Sequence, residues 1–210
     1  MLSVMRAGKP LRSVIETLQD LYAAKKDQPI IYYVHDDVAI LDDDWQYCVD
    51  AVFAEDPTVA IVGFGGATGI GHPDIYKTPY RIDQLARFGY MSNQTDYQVH
   101  GALNTEVREV AVVDGFFMAI RTDFLKEVNG WYWMQTNFHC YDTCMCLEAI
   151  RRGYKVKIVG VACTHFGGGT STKAEYAEWC KENGTTMELE HSKPHVWMYN
   201  EFKEILPCRV

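Results

Sequence analysis

The sequence predicts an α/β sandwich with a mainly parallel central sheet, and three observations carry that expectation. Short, continuously apolar runs alternate with segments whose apolar residues recur every three or four positions, the pattern of buried strands joined by helices. Several of these runs stop abruptly at polar or glycine-rich groups: His35-Asp36-Asp37, Gly65-Gly66 and Thr164-His165. Ligands in open α/β sheets bind beyond the carboxyl ends of the strands, so these groups are expected along one edge. Finally, 210 residues, 48% hydrophobic and 23% charged, suit a single domain with a substantial core.

Taken in order, Leu11, Val14, Ile15, Leu18, Leu21 and Tyr22 lie on one face of a helix from Pro10 to Lys25, with Pro10 suited to its first turn. The run 29–34 reads as a strand buried on both faces. A helix follows Asp42-Asp43-Asp44, from Trp45 to Phe53, and Val59–Phe64 is a second buried strand leading into a glycine-rich loop, Gly65 to Gly71. The stretch 72–109 lacks periodicity and reads as loop-rich. Val110–Val113 and Phe116–Ile120 are strands; Asp123–Val128 is a short helix closed by Asn129-Gly130. Tyr141–Arg152 is a helix stopped by Gly153, and Lys155–Cys163 is one strand ending at Thr164-His165. Residues 1–169 form the expected core, and 170–210 read as helices wrapped around it.

Composition removes several classes of function. The net charge is −8 without a basic stretch, which argues against nucleic-acid binding, since that needs clustered Lys and Arg. No apolar run approaches the roughly 18 residues of a spanning helix, and MLSVMRAGKPLRS lacks a signal-peptide core. Seven cysteines, four of them in the 140–163 region, fit no disulfide framework, so a reducing cytoplasm is the expected compartment.

Each constellation of polar residues has a structural reading beside its chemical one. His35-Asp36-Asp37 reads either as a strand-ending turn, which Asp favours, or as carboxylates for Mg²⁺ or Mn²⁺; His165 after another strand adds an imidazole to the second reading. Asp142 opens a helix, where it would cap the first turn or serve as a general base toward an acceptor hydroxyl. Glycines 63 to 71 bring backbone close to a phosphate or sugar, or simply turn the chain, and they match no Walker loop. Gly167-Gly168-Gly169 after His165 reads as a hinge or close-approach segment. Of Trp131, Tyr132 and Trp133, not all three can face the core, so at least one is expected to line a pocket or an interface. Cys140, Cys144, Cys146 and Cys163 lack zinc spacing and read as buried thiols.

The motifs Asp114-Gly-Phe-Phe-Met-Ala-Ile-Arg121, Gly130-Trp131, Phe138-His-Cys-Tyr-Asp142, Gly153-Tyr-Lys-Val and Thr164-His165 together resemble family 2 glycosyltransferases over residues 29 to 169. The resemblance implies a GT-A-like, Rossmann-type α/β/α fold. It aligns His35-Asp36-Asp37 with the DXD motif, His35 replacing the first Asp. It makes Asp37, His165 and Asp36 ligands of Mn²⁺ or Mg²⁺, and Asp142 the catalytic base, with Tyr141 where the motif has Glu. His35, Asp36, Arg6, Gly65 and Gly66 are then expected at the nucleoside diphosphate sugar, UDP- or GDP-linked, and Lys9 also stands near the diphosphate. Asp114, Gly115, Trp131 and Tyr141 are expected at a carbohydrate-bearing acceptor. The implied reaction is inverting transfer of a sugar to a hydroxyl, with homodimerisation left open. Family members usually open with a strand and a second strand that reads the nucleobase; here only Leu2–Arg6 precedes the first helix, so one strand is expected to be missing. A binding module without activity and a nucleotidyltransferase are the competing readings.

Overall fold

The structure is a computed structural model and describes residues 2–5, 12–70, 87–89, 92–93, 98–99, 105–166 and 174–210. In chain order the elements begin with β1 (Leu2–Met5), α1 (Val14–Lys25), β2 (Ile30–His35), β3 (Val38–Ile40), α2 (Trp45–Glu55), β4 (Val59–Gly63), β5 (Gly65–Ala67) and β6 (Gly69–Ile70). Four short strands follow, β7 (Arg87–Gly89), β8 (Ser92–Asn93), β9 (Gln98–Val99) and β10 (Arg108–Glu109). Then come β11 (Val112–Val113), β12 (Phe117–Arg121), α3 (Thr122–Glu127), α4 (Tyr141–Arg151), β13 (Lys155–Ile158) and β14 (Cys163–His165). The chain closes with α5 (Ala174–Glu182), α6 (Met187–Glu201) and β15 (Cys208–Arg209).

The central sheet has the order β1-β2-β12-β4-β13-β10. Its β1–β2 and β4–β13 pairs are parallel, whereas β12 runs antiparallel to both β2 and β4, and β10 antiparallel to β13. The expected mainly parallel sheet is therefore mixed: four strands share one direction and β12 is inserted against them. An apolar run such as Phe117-Met-Ala-Ile marks burial on both faces but carries no direction, so the inversion had no signature in the sequence. Leu2–Met5 forms a parallel edge strand beside β2, and among the described residues only α1 stands between the two, with no second strand.

Alternation along the strands fills two cores, one on each face. Ile31 and Tyr33 of β2, Ile61 of β4 and Met118 and Ile120 of β12 pack with Ile15 and Leu18 of α1, Phe124 of α3, and Cys144 and Leu147 of α4. On the other face Tyr32, Val34, Val62, Phe117 and Ala119 pack with Val49, Val52 and Phe53 of α2. Helices on both faces of one sheet make the α/β sandwich that the alternation predicts.

Local boundaries follow from caps and close packing. Helix α1 starts later than Pro10, because the Ser13 side chain accepts from the Glu16 backbone N–H and the Glu16 carboxylate accepts from the Ser13 backbone N–H, a capping box; Pro10 lies outside the described residues. Asn129 and Gly130 adopt φ of 57° and 75° behind α3, as helix-stopping residues do. The glycine-rich segment is not an open loop, since β5 pairs with β11 and β7 and β6 with β15. A Cβ on Gly66 would overlap the Val112 carbonyl oxygen, so close strand approach explains that glycine. The strand expected over 155–163 divides at 159–162: β13 stays in the central sheet, whereas β14 joins a second sheet beside β3 and β8. Asp42 fixes this departure by accepting the Ala162 N–H at 2.6 Å.

All seven cysteines are free thiols. Among the described residues no helix is long and apolar enough to cross a membrane.

Candidate active site

Two sequence-distant segments meet at the carboxyl end of β2. His35 is the last residue of β2, Asp36 and Asp37 form the turn into β3, and His165 ends β14, paired opposite Val38. The turn is tied down by backbone bonds: the His35 N–H donates to the Phe116 carbonyl at 3.0 Å and the Phe166 N–H to the Asp37 carbonyl at 2.8 Å. Asp37 Oδ1 lies 3.1 Å from His165 Nε2 and 3.9 Å from His35 Nδ1. Phe116 stacks on the His165 ring at 5.5 Å and fixes its plane. The donor atoms of His35, Asp37 and His165 all lie within 4.8 Å of one another.

That donor set fits a divalent cation. Two ligands each about 2.1 Å from one ion stand at most ~4.2 Å apart, so a slight contraction of the three side chains would enclose one. Asp36 is exposed and outside this trio; its place is taken by His35, which the sequence reading put at the donor.

A second group adjoins the first. Asp142 is the second residue of α4; its Oδ2 accepts the Gly115 N–H at 2.9 Å and its Oδ1 the Thr143 N–H at 2.8 Å. Its carboxylate therefore serves the helix's first turn, as the structural reading expected, and also grips the segment before β12. The residue preceding α4, Cys140, sits at φ 61° with no side-chain cap. A non-glycine residue in this region is strained by about 1 kcal/mol or more. Tyr141 is buried, with its hydroxyl 2.9 Å from His35 Nε2 and 3.4 Å from the Gly115 carbonyl oxygen. A Cβ on Gly115 would run into that hydroxyl, so only glycine lets the Tyr141 ring reach His35. Asp114, exposed next door, accepts the Phe116 N–H at 3.2 Å and so forms a turn at the strand entrance.

Electrostatics follow from crowding. Burial and then the negative charge of Asp114 push the Asp142 carboxyl up to about 6, against the opposing pull of the Thr143 and Gly115 N–H groups. Burial and His165 push His35 down, with Asp37, Asp114 and Asp36 opposing. Burial and Asp142 raise the Tyr141 phenol well above its usual value, so it stays a neutral hydrogen-bonding group.

A family model described as "Glycosyltransferase like family" matches residues 19–199, which take in both groups. The chain belongs to the glycosyltransferase-like family. Comparison with curated proteins gives no match. Among solved structures the chain is similar to A197 from STIV, at 16% identity and a TM-score of 0.43, covering 74% of this chain and 68% of that one. It is also similar to the mannosyltransferase PcManGT from Pyrobaculum calidifontis in complex with GDP-Man and Mn2+, at 16% identity and TM-score 0.47, covering 93% of this chain and 44% of that one. GalNAc-T7 with UDP, GalNAc and Mn2+ matches at 12% identity and TM-score 0.49, over 95% of this chain and 45% of that one. The chain thus spans less than half the length of these last two.

Placed on the structure, the expected site residues divide cleanly. Asp37, His165, His35, Tyr141, Gly115, Asp114 and Asp142 converge. Gly65 and Gly66 lie in β5 under β11, where Gly65 accepts the Asp114 N–H at 2.9 Å; their backbone is engaged in the sheet. Trp131 is fully buried against Tyr33, so it belongs to the core and presents no surface to a sugar, whereas Tyr132 is 60% exposed. Arg6, Lys9 and Gly167-Gly168-Gly169 lie outside the described residues. The sequence reading missed Phe116 as the support of His165 and Phe166 as an exposed aromatic beside Asp37. Their only signal was adjacency to Gly115 and His165.

Proposed function

We propose that this glycosyltransferase is metal-dependent and inverting, moving a sugar from a nucleoside diphosphate sugar to a hydroxyl of a carbohydrate-bearing acceptor. The observation that carries the reading is the convergence of Asp37 and His165 with Asp142 through Gly115 and Tyr141 at one sheet end. In a single displacement the acceptor oxygen bonds to the anomeric carbon, the carbon–oxygen bond to the diphosphate breaks, and the acceptor proton passes to the Asp142 carboxylate. Asp37 and His165 would hold Mn²⁺ or Mg²⁺, which when bound supplies positive charge for the departing diphosphate. Gly115, held by Asp142, positions the base relative to β12, and exposed Asp114 is placed to accept a bond from a sugar hydroxyl.

The direct test is release of nucleoside diphosphate from a panel of UDP- and GDP-sugars with Mn²⁺ and glycan acceptors. Turnover by the parent protein is expected. Binding of nucleotide without turnover would leave an inactive module instead. Asp37→Ala should weaken Mn²⁺-dependent donor binding by about 10–100-fold, as loss of a ligand or its support does; calorimetry showing equal donor affinity in both proteins would remove Asp37 from the metal site.

The acid limb of the pH profile tests Asp142. Its carboxyl is held up to about 6 and only the ionised form accepts a proton, so kcat/KM should rise through pH 6 and fall about tenfold per unit below it. Asp114→Asn removes a like charge and should move this limb to lower pH. A limb that stays in place, or moves upward, would detach it from Asp142.

A further inference from the structure

Two departures from the motifs that the sequence resembles touch each other. His35 stands where the DXD motif has Asp, Tyr141 stands where the base motif has Glu, and His35 Nε2 lies 2.9 Å from the Tyr141 hydroxyl. A phenol carries one proton, and here it has an acceptor of its own, the Gly115 carbonyl oxygen at 3.4 Å. When the hydroxyl donates there, it can only accept from His35, which places the imidazole proton on Nε2. Nδ1 then carries a lone pair, and it is Nδ1 that faces the Asp37 carboxylate at 3.9 Å. Outer hydrogen bonds of this kind choose the tautomer of a metal-binding histidine and fix its ring. The ring has little freedom to do otherwise: the backbone of His35 is bonded to Phe116, and its ring lies edge-on to His165 with centroids 5.6 Å apart.

We infer that His35 is a third metal ligand through Nδ1, that Tyr141 is the positioning residue that sets its tautomer, and that the resulting two-imidazole, one-carboxylate site selects transition-metal cations such as Mn²⁺ and Co²⁺ over Mg²⁺. Nitrogen ligands favour first-row transition cations, Co²⁺ more strongly than Mn²⁺, whereas Mg²⁺ prefers oxygen ligands and gives up water reluctantly. Exchanging a carboxylate for His35 removes one hard oxygen and one negative charge from the site, and both changes act against Mg²⁺. This inference rests on the metal-dependent reading above and narrows the cation that reading leaves open.

The test is metal binding to the full chain without donor sugar, by calorimetry and by the visible absorption of Co²⁺. The parent should bind Mn²⁺ at least about tenfold more tightly than Mg²⁺. Tyr141→Phe keeps the ring packing and should weaken Co²⁺ binding by about 10–100-fold while shifting its visible bands. His35→Asp should bring the Mn²⁺ and Mg²⁺ affinities within a few-fold of each other. His35→Gln, a half-buried exchange of similar size, covers the case in which Tyr141→Phe does not fold, and it should lose Co²⁺ affinity to a like degree. Unchanged Co²⁺ affinity and bands in both His35→Gln and Tyr141→Phe would overturn the inference, as would equal binding of Mg²⁺ and Mn²⁺ by the parent. If Asp37→Ala abolishes binding but His35→Gln does not, the inference falls and the transferase reading stands. Cobalt bound through His35 in a protein that releases no nucleotide has the reverse consequence.

Discussion

Asp142→Asn is expected to lower kcat for sugar transfer by about 10²–10⁴-fold, the usual worth of a positioned general base, while donor affinity changes no more than a few-fold. The substitution is nearly isosteric, so its structural cost can be estimated separately. Asp142 accepts two backbone N–H groups, from Gly115 and Thr143, on different oxygens. An amide has one oxygen, so one of those donors loses its partner and meets an NH₂ group instead. An unsatisfied buried N–H costs about 1–3 kcal/mol, partly offset because the crowding that pushes the carboxyl up no longer acts on a neutral group. A loss of that size leaves most domains folded at 25 °C. A catalytic role therefore predicts collapse of kcat in a protein with a modestly lowered Tm and intact donor binding. A purely structural role predicts that activity per folded molecule is preserved, and a fall of less than about fivefold after correction for folded protein would leave Asp142 as a cap and clamp.

How much of this arrangement the sequence could reveal depended on whether the signal was local. The β2 run is apolar at successive positions because the strand is covered on both faces, and α1 repeats its apolar residues because one face packs on the sheet; both patterns are local and both elements form, α1 with its start moved from Pro10 to Val14. Strand direction is not local, so the insertion of β12 between β2 and β4 left no trace. The same limit applied to the glycines. Gly66 is required by the carbonyl of Val112, about 45 residues away in sequence, and a glycine excluded from bulk by a distant strand looks the same as one that cradles a phosphate. At the site, Asp37, His165 and Asp142 were legible from residue type and order. The His35–Tyr141 contact was not, because each residue read as a lapse from a motif until the fold put their polar atoms 2.9 Å apart.

Trp131 is where the resemblance pointed to the acceptor site and tertiary packing went the other way, and it yields the largest expected effect on stability. The indole is fully buried and meets Tyr33 edge-on, with centroids 5.3 Å apart. Its N–H donates to the Tyr33 hydroxyl at 3.3 Å, and its backbone N–H donates to the Gln19 side chain at 2.8 Å, which docks the chain after α3 onto α1. Trp131→Ala should cost about 3–5 kcal/mol through lost burial and the cavity left behind, with a further contribution from the stranded Tyr33 hydroxyl. For a chain of this length each kcal/mol lowers Tm by roughly 2–4 °C, so thermal denaturation should shift down by about 10 °C. Tyr132→Ala, next in sequence but exposed, should move Tm by no more than roughly 2 °C. The neighbouring pair thus separates packing from recognition. A sugar-stacking role for Trp131 would instead raise the acceptor KM of Trp131→Ala while leaving its Tm near that of the parent, and that result would move the residue from the core to the acceptor site.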